Sequence, residues 1–224
     1  MTIKTGAALL FDIDGTLADT DEFHREAYNE AMKPWGEVFD LDRYAREIQG
    51  FTNADITARL LPNEPNERRL ELSELKEATF RRLVQGQVRP KPGLMALLDR
   101  ADAAGVPMAA VTNAPRPNAE LMLGALGITH RFRRIVIGDE LPHGKPHPLP
   151  YLEGLRATNG RAEHALAFED SRSSIRAAVD AQVATIGLAA SGDHAQLVES
   201  GAVAAVDDFN DATVAEWLRQ RLGL

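Results

Sequence analysis

Four places along this 224-residue chain set chemically able residues directly after an apolar run. Asp12 and Asp14 follow "AALLF" and lead into Gly15 and Thr16. Thr112 and Asn113 close "MAAV". Gly138-Asp139-Glu140 follows "RIVI", with Gly144-Lys145-Pro146 a few residues on. Glu169, Asp170 and Ser171 follow "HALAF". Carboxylates two residues apart can attack, shuttle protons or help to hold a hard divalent cation. A lysine, a hydroxyl and an amide suit an anion. Each residue alone reads as ordinary loop chemistry: Asp14 as a turn acid, Lys145 as a surface lysine, Asp170 or Ser171 as a helix N-cap. Four such endings in one chain are not explained that way.

The elements that must carry these residues follow from the hydrophobic period. "AALLFDI" reads as a fully buried strand. From Thr20 to about Arg82 the chain reads as helices only, with Phe23, Ala27, Tyr28, Ala31 and Met32 on one helical face. Thr52 or Asn53 is suited to cap a short helix that Pro62 stops, and "NERRLELSELKEATFRRLV" reads as a longer helix running on to Gly86. Pro92 is placed as a first helical residue. Strands and helices then alternate: strands at "VPMAAVTN", "RIVIGD", "HALAFED", "VATIGL" and "AVAAVDDF", and helices between the earlier ones and at "ATVAEWLRQRL". Alternation with nearly all-apolar strands predicts an α/β fold, a parallel sheet covered on both faces. The first strand belongs with the later region, so residues 1–16 and 87–224 form the predicted core and 17–86 an all-helical insertion. Connections near Leu17–Asp19 and Gln85–Lys91 join the two. In an open parallel sheet, ligands bind beyond the carboxyl ends of the strands, which is where all four polar endings lie.

Composition narrows the alternatives. The net charge is −8, which disfavours a nucleic-acid binder, because phosphate backbones call for clustered Lys and Arg. The short basic pairs, such as Arg81–Arg82, read as solvated faces. The chain has no cysteine, so disulfides and thiolate metal sites are excluded and a cytoplasmic location is expected. No apolar run is long enough for a membrane span or signal peptide. "GDELPHGKP" fails as a P-loop: there is one residue too many between the glycines, and Pro146 follows the lysine. His143 and His147 flank Gly144 and Pro146, which disfavours a helical zinc pair.

Taken in order, "FDIDGTL", "VTN", "GKPHP" and "FEDSRSSIRAA" resemble the four motifs of the haloacid dehalogenase superfamily of phosphotransferases. The resemblance spans the whole chain. It implies a Rossmann-like, doubly wound parallel sheet with an all-helical cap at 17–86. It implies Asp12 as a carboxylate nucleophile that forms an aspartyl-phosphate. Asp14 would protonate the leaving alkoxide, then take a proton from the attacking water. A halide needs no proton on leaving, so Asp14 argues for phosphoryl transfer over dehalogenation. The clustered acids call for cations, since like charges ~4 Å apart repel by roughly 4 kcal/mol at an effective dielectric of about 20. By resemblance Mg²⁺ takes side-chain oxygens of Asp12 and Asp170 and the backbone carbonyl of Asp14, with Glu169 behind them. Lys145 supplies a second positive charge, and Thr112 and Asn113 hold phosphoryl oxygens. One departure stands out: Ser174 replaces a glycine usual in the fourth motif, a change expected to bear on helix packing.

The insertion bears on the substrate. "DIDGTLADTDEFHREAYNEAM" also resembles the opening of β-phosphoglucomutase, with His24 near its start. The loop "IQGFTNAD" matches in Gly50 but lacks the arginine with which the mutase grips a second phosphate; Phe51, Thr52 and Asn53 stand there instead. "GDELPHGKPHPLPY" looks more like phosphoglycolate-phosphatase-type members. The expectation is therefore a phosphatase of small phosphorylated metabolites, of sugar phosphate or phosphoglycolate type. It is expected to act as a monomer or simple homo-oligomer, with His24 and Lys76 as insertion residues that reach the substrate. A mutase and a non-catalytic binding protein on the same fold are the alternatives.

Overall fold

The computed structural model describes residues 2–189 and 194–224. Among these residues six parallel strands form one sheet: β1 (Ala8–Phe11), β2 (Met108–Thr112), β3 (Phe132–Ile137), β4 (Ala165–Glu169), β5 (Ala184–Leu188) and β6 (Ala204–Val206). Their order is 3-2-1-4-5-6, so β1 lies at the centre where the winding reverses. The helices are α1 (Asp21–Met32), α2 (Leu41–Glu47), α3 (Asn53–Leu60), α4 (Asn66–Val84), α5 (Leu94–Ala103), α6 (Arg116–Ala125), α7 (Leu149–Thr158), α8 (Arg172–Asp180), α9 (His194–Glu199) and α10 (Ala212–Leu222). No helix among the described residues is long and apolar enough to cross a membrane.

The alternation of side chains explains why β1 reads as continuously apolar. Leu9 and Phe11 enter one apolar layer with α5, α6 and α10. Ala8 and Leu10 enter the opposite layer with α7 and α8. Phe11 stacks on Phe168 of the neighbouring strand at 5.1 Å between ring centroids. Burying one such ring stabilises the fold by about 2–3 kcal/mol. The register pairs Phe11 with Phe168, and Asp12 N–H donates to the Phe168 carbonyl at 3.1 Å. Asp12, just past β1, and Glu169, the last residue of β4, therefore lie side by side at this edge.

Helices α1–α4 intervene between β1 and the rest of the sheet and carry an apolar cluster of their own, including Tyr28, Met32, Phe39, Tyr44, Ile56 and Leu72. Ala27 of α1 and Phe80 and Val84 of α4 instead join the core of the sheet. The two connecting stretches meet: Lys91 N–H donates to the Leu17 carbonyl at 2.9 Å, and the Lys91 ammonium pairs with Asp19. Thr52 caps α3, accepting from Asp55 N–H at 3.2 Å.

Three local expectations change. Pro92 lies outside α5, which begins at Leu94 after Gly93 in a left-handed conformation. The Pro92 carbonyl is taken by Phe209 N–H at 3.1 Å, and a Cβ on Gly93 would run into the Asn210 backbone. Helix α9, where no element was expected, is six residues long and buries Leu197 alone, too little to give a period. Arg81 is not a solvated charge: its guanidinium donates to Asn118 Oδ1 of α6 at 2.8 Å.

Candidate active site

The strand ends converge as the parallel register requires. The Lys145 ammonium donates to Asp12 Oδ1 at 2.7 Å and to Glu169 Oε1 at 2.6 Å. Lys145 is 1% exposed and Glu169 fully buried. The Tyr151 hydroxyl also donates to Glu169 Oε1. Burial alone would push the Lys145 ammonium down, but Asp12 and Glu169 outweigh it and raise its pKa. The lysine is therefore a fixed positive charge behind Asp12.

Asn113 explains how the lysine loop is held. Its side-chain oxygen accepts from Lys145 N–H and its amide donates to the Lys145 carbonyl, each at 2.9 Å. A Cβ on Gly138 or Gly144 would crowd that side-chain oxygen. The Asn113 side chain is thus committed to the loop, leaving its backbone N–H for a ligand. Thr112 Oγ1 accepts from Ala114 N–H at 3.0 Å and keeps its own proton free to donate.

Asp12, Glu169 and Asp170 each offer an oxygen, and these lie within 4.8 Å of one another. Burial first, then Asp12 and Asp21, push the Asp170 carboxyl well up. Burial likewise raises Asp12 against the pull of Lys145. Glu169 Oε2 and Asp14 Oδ2 are buried without a hydrogen-bond partner. An all-oxygen cluster that is crowded, buried and partly unpartnered fits a hard divalent cation. Gly15 is required beside it: its φ is +74° and a Cβ there would collide with the Asp170 carboxylate.

The helical insertion closes over this edge. Asp14 Oδ1 lies 3.1 Å from His24 Nε2, and Thr20 Oγ1 donates to the same oxygen at 3.2 Å. His24 Nδ1 lies 2.9 Å from the Lys76 ammonium. An ammonium can only donate, so Nδ1 accepts and Nε2 carries the proton toward Asp14. His24 stacks on Phe80 at 3.8 Å, which fixes the ring. Gln49 donates to Asp21 Oδ2 at 3.1 Å and to Asp170 Oδ2 at 3.0 Å. Ser173 Oγ donates to the Gly50 carbonyl at 2.9 Å, and a Cβ on Gly50 would strike Ser171 and Ser173. The cleft between the insertion and the sheet edge has a volume of about 90 Å³.

Thus Asp12, Asp14, Thr112, Asn113, Asp170, His24 and Lys76 all line one cleft, with Lys145 buried behind Asp12. Ser171 takes the N-cap position of α8, so Asp170 is left free of that role. Ser174 does more than pack inside α8: it lines the same cleft. Asp21, Tyr28, Gln49, Asn53 and Glu77 also line it, unforeseen in the sequence. "ADTDEFH" held a hint of Asp21, one turn before His24, whereas Glu77 looks like any charge on an exposed helix.

The chain is similar to known proteins in sequence and fold. Residues 9–188 match the family model described as haloacid dehalogenase-like hydrolase. Protein CbbY of Rhodobacter capsulatus is 33% identical over 183 residues, covering 76% of this chain and 80% of that protein. A phosphorylated carbohydrates phosphatase of Thermotoga maritima is 31% identical over 204 residues, covering 89% and 93%. The solved structure of CbbY from Rhodobacter sphaeroides in complex with phosphate superposes with a TM-score of 0.80 at 29% identity, covering 91% and 95% of the two chains. On sequence, fold and the convergence of these four strand ends, the chain belongs to the haloacid dehalogenase-like hydrolase family.

Proposed function

We propose that this protein is a Mg²⁺-dependent phosphatase of small phosphorylated metabolites, of sugar phosphate or phosphoglycolate type, working through an aspartyl-phosphate. The observation that carries the reading is the pairing of two differently served acids: Asp12 backed by the Lys145 ammonium at 2.7 Å, and Asp14 facing His24 at 3.1 Å. An Asp12 oxygen attacks phosphorus, and the bond to the leaving oxygen breaks. Asp14 gives that oxygen its proton, then removes one from the water that splits the aspartyl-phosphate and regenerates Asp12. The Thr112 hydroxyl and the Asn113 backbone N–H hold phosphoryl oxygens, and Lys145 offsets their charge. Asp12, Asp170 and the Asp14 carbonyl are the ligands we assign to Mg²⁺, which when bound neutralises and orients the phosphoryl group. Residues 17–86 act as the cap, opening about the Leu17–Asp19 and Gln85–Lys91 stretches to admit substrate and closing through Gln49 and Gly50 to exclude water.

Purified protein with Mg²⁺ is expected to release one phosphate per ester consumed, and to stop when EDTA removes the metal. Interconversion of glucose 1- and 6-phosphates dependent on a bisphosphate primer would sink the phosphatase in favour of a mutase. No hydrolysis across a broad panel of phosphomonoesters would favour the binding protein. The role of Asp14 has its own signature. Asp14→Asn should slow hydrolysis of alkyl phosphates by about 10²–10⁴-fold, the range for general acid–base catalysis. With p-nitrophenyl phosphate, whose leaving group needs no proton, formation of the aspartyl-phosphate should be slowed far less. Equal losses of the phosphorylation step on both esters would rule out proton delivery by Asp14.

A further inference from the structure

The wall of the cleft contributed by α4 carries a charge that the proposed chemistry does not use. Glu77 lies beside Lys76 on α4, is 6% exposed and lines the cleft. Its Oε1 accepts from the Lys76 ammonium at 2.9 Å and from the Asn53 amide at 2.6 Å. Its Oε2 accepts from the Asn118 amide of α6, on the far side of the interface. Asn53 Oδ1 in turn accepts from the Tyr28 hydroxyl at 2.8 Å. Burial would raise the Glu77 carboxyl, but the Lys76 ammonium and the hydrogen bonds from Asn53 and Lys76 outweigh it and bring it down to about 2.

This network decides what the cleft can accept beyond the phosphoryl group. In an in-line displacement the leaving group lies opposite Asp12, on the side that the insertion covers. Among the described residues that line the cleft, the acidic side chains are Asp12, Asp14, Asp21, Asp170 and Glu77, and the lysine is Lys76. A metal at Asp12 and Asp170 is matched by the phosphoryl group of the substrate. Lys76, the lysine among the described lining residues, is already engaged by Glu77 and His24 and lies over the Tyr28 ring at 4.8 Å. An anionic group on the leaving side would therefore meet the Glu77 carboxylate, beside a Lys76 whose charge Glu77 already pairs. A hydroxylated group would meet the acceptors it needs, on Glu77 and Tyr28.

Resting on the phosphatase reading above, we infer that Glu77 is a specificity-determining residue that restricts the enzyme to monophosphates whose leaving group is uncharged and hydroxylated, and rejects bisphosphates and phosphocarboxylates. The rejection is the repulsive half of specificity, a like charge placed against the wrong ligand.

The test compares kcat/KM, with saturating Mg²⁺, for a hexose 6-phosphate, the hexose 1,6-bisphosphate, phosphoglycolate and p-nitrophenyl phosphate. The wild-type protein should favour the hexose monophosphate over both anionic esters by about tenfold or more, the scale of one adverse charge contact. Glu77→Gln keeps the shape and should narrow that ratio by raising kcat/KM for the anionic esters. The wild-type ranking needs no variant, so it decides the matter even if Glu77→Gln does not fold. Turnover of the bisphosphate or phosphoglycolate as fast as the hexose monophosphate would overturn the inference, as would a Glu77→Gln effect equal on all esters. If none of the four esters is hydrolysed, the phosphatase reading itself has failed. If p-nitrophenyl phosphate is hydrolysed while the ranking is flat or reversed, only the role of Glu77 has.

Discussion

Asp12→Asn should lose phosphoester hydrolysis by roughly 10⁴-fold or more, the scale seen when a covalent nucleophile is removed from its assembled site. The amide has the shape of the acid, and its oxygen can still accept from Lys145, which reaches Asp12 Oδ1 at 2.7 Å. What it lacks is the anionic electron pair that must bond to phosphorus. Stability should barely fall, because Asp12 is buried and faces Asp14 and Asp170, so removing its charge relieves a repulsion while Lys145 keeps Glu169. The measurement is steady-state phosphate release by wild-type and variant, with urea unfolding to verify the fold. A second readout follows the intermediate: wild-type protein quenched during turnover should carry hydroxylamine-sensitive phosphate, and the variant none. Retention of more than a few per cent of activity by a folded variant would place the nucleophile elsewhere.

The parts legible in the sequence are those in which one short segment carries both an element and its chemistry. β1 is buried on both faces, so it reads as an unbroken apolar run, and Asp12 and Asp14 are simply its next polar residues. The same holds for Thr112 after β2 and for Glu169 and Asp170 at the end of β4. His24 stands out by resemblance and Lys76 as a lysine on the long insertion helix, and the structure brings them together at 2.9 Å across 52 residues of chain. Glu77 could not be read in this way. "LKEATF" has the charges of a solvated helix, and what buries Glu77 is Asn118, 41 residues on and in a different layer. Gln49 is equally silent until the loop before Gly50 touches Asp170. Contacts across the interface between insertion and sheet depend on docking, and no period within either segment encodes it. The error at Pro92 has the same origin: a proline suits a first helical turn, but here tertiary contacts of Phe209 and Asn210 set the start of α5.

Lys145→Met should damage both stability and catalysis, and the two losses should separate. Methionine nearly matches the lysine stem in length, so the change isolates the charge. The ammonium sits between Asp12 and Glu169 at 2.7 and 2.6 Å in a site where Lys145 is 1% exposed. Removing one member of such a buried ionic cluster costs about 3–5 kcal/mol, because the charges left behind have no partner. Urea unfolding of the metal-free protein should show a lower midpoint with an unchanged slope. Neutralising a second member then helps: Lys145→Met with Glu169→Gln should recover part of the lost stability, since Tyr151 can still donate to residue 169 and Asp12 keeps the cleft beside it. The pair is in contact, so this departure from additivity is the expected behaviour. Activity should not recover. The phosphoryl group would still lack the lysine charge, a loss of about 10²–10³-fold of the kind seen on deleting one group that stabilises transition-state charge. If Lys145→Met is as stable as the wild type without metal, then Asp12 and Glu169 are not both held as carboxylates against it. Lys145 would in that case serve the phosphate alone, and the loop clamped by Asn113 would owe its position to hydrogen bonds rather than to charge.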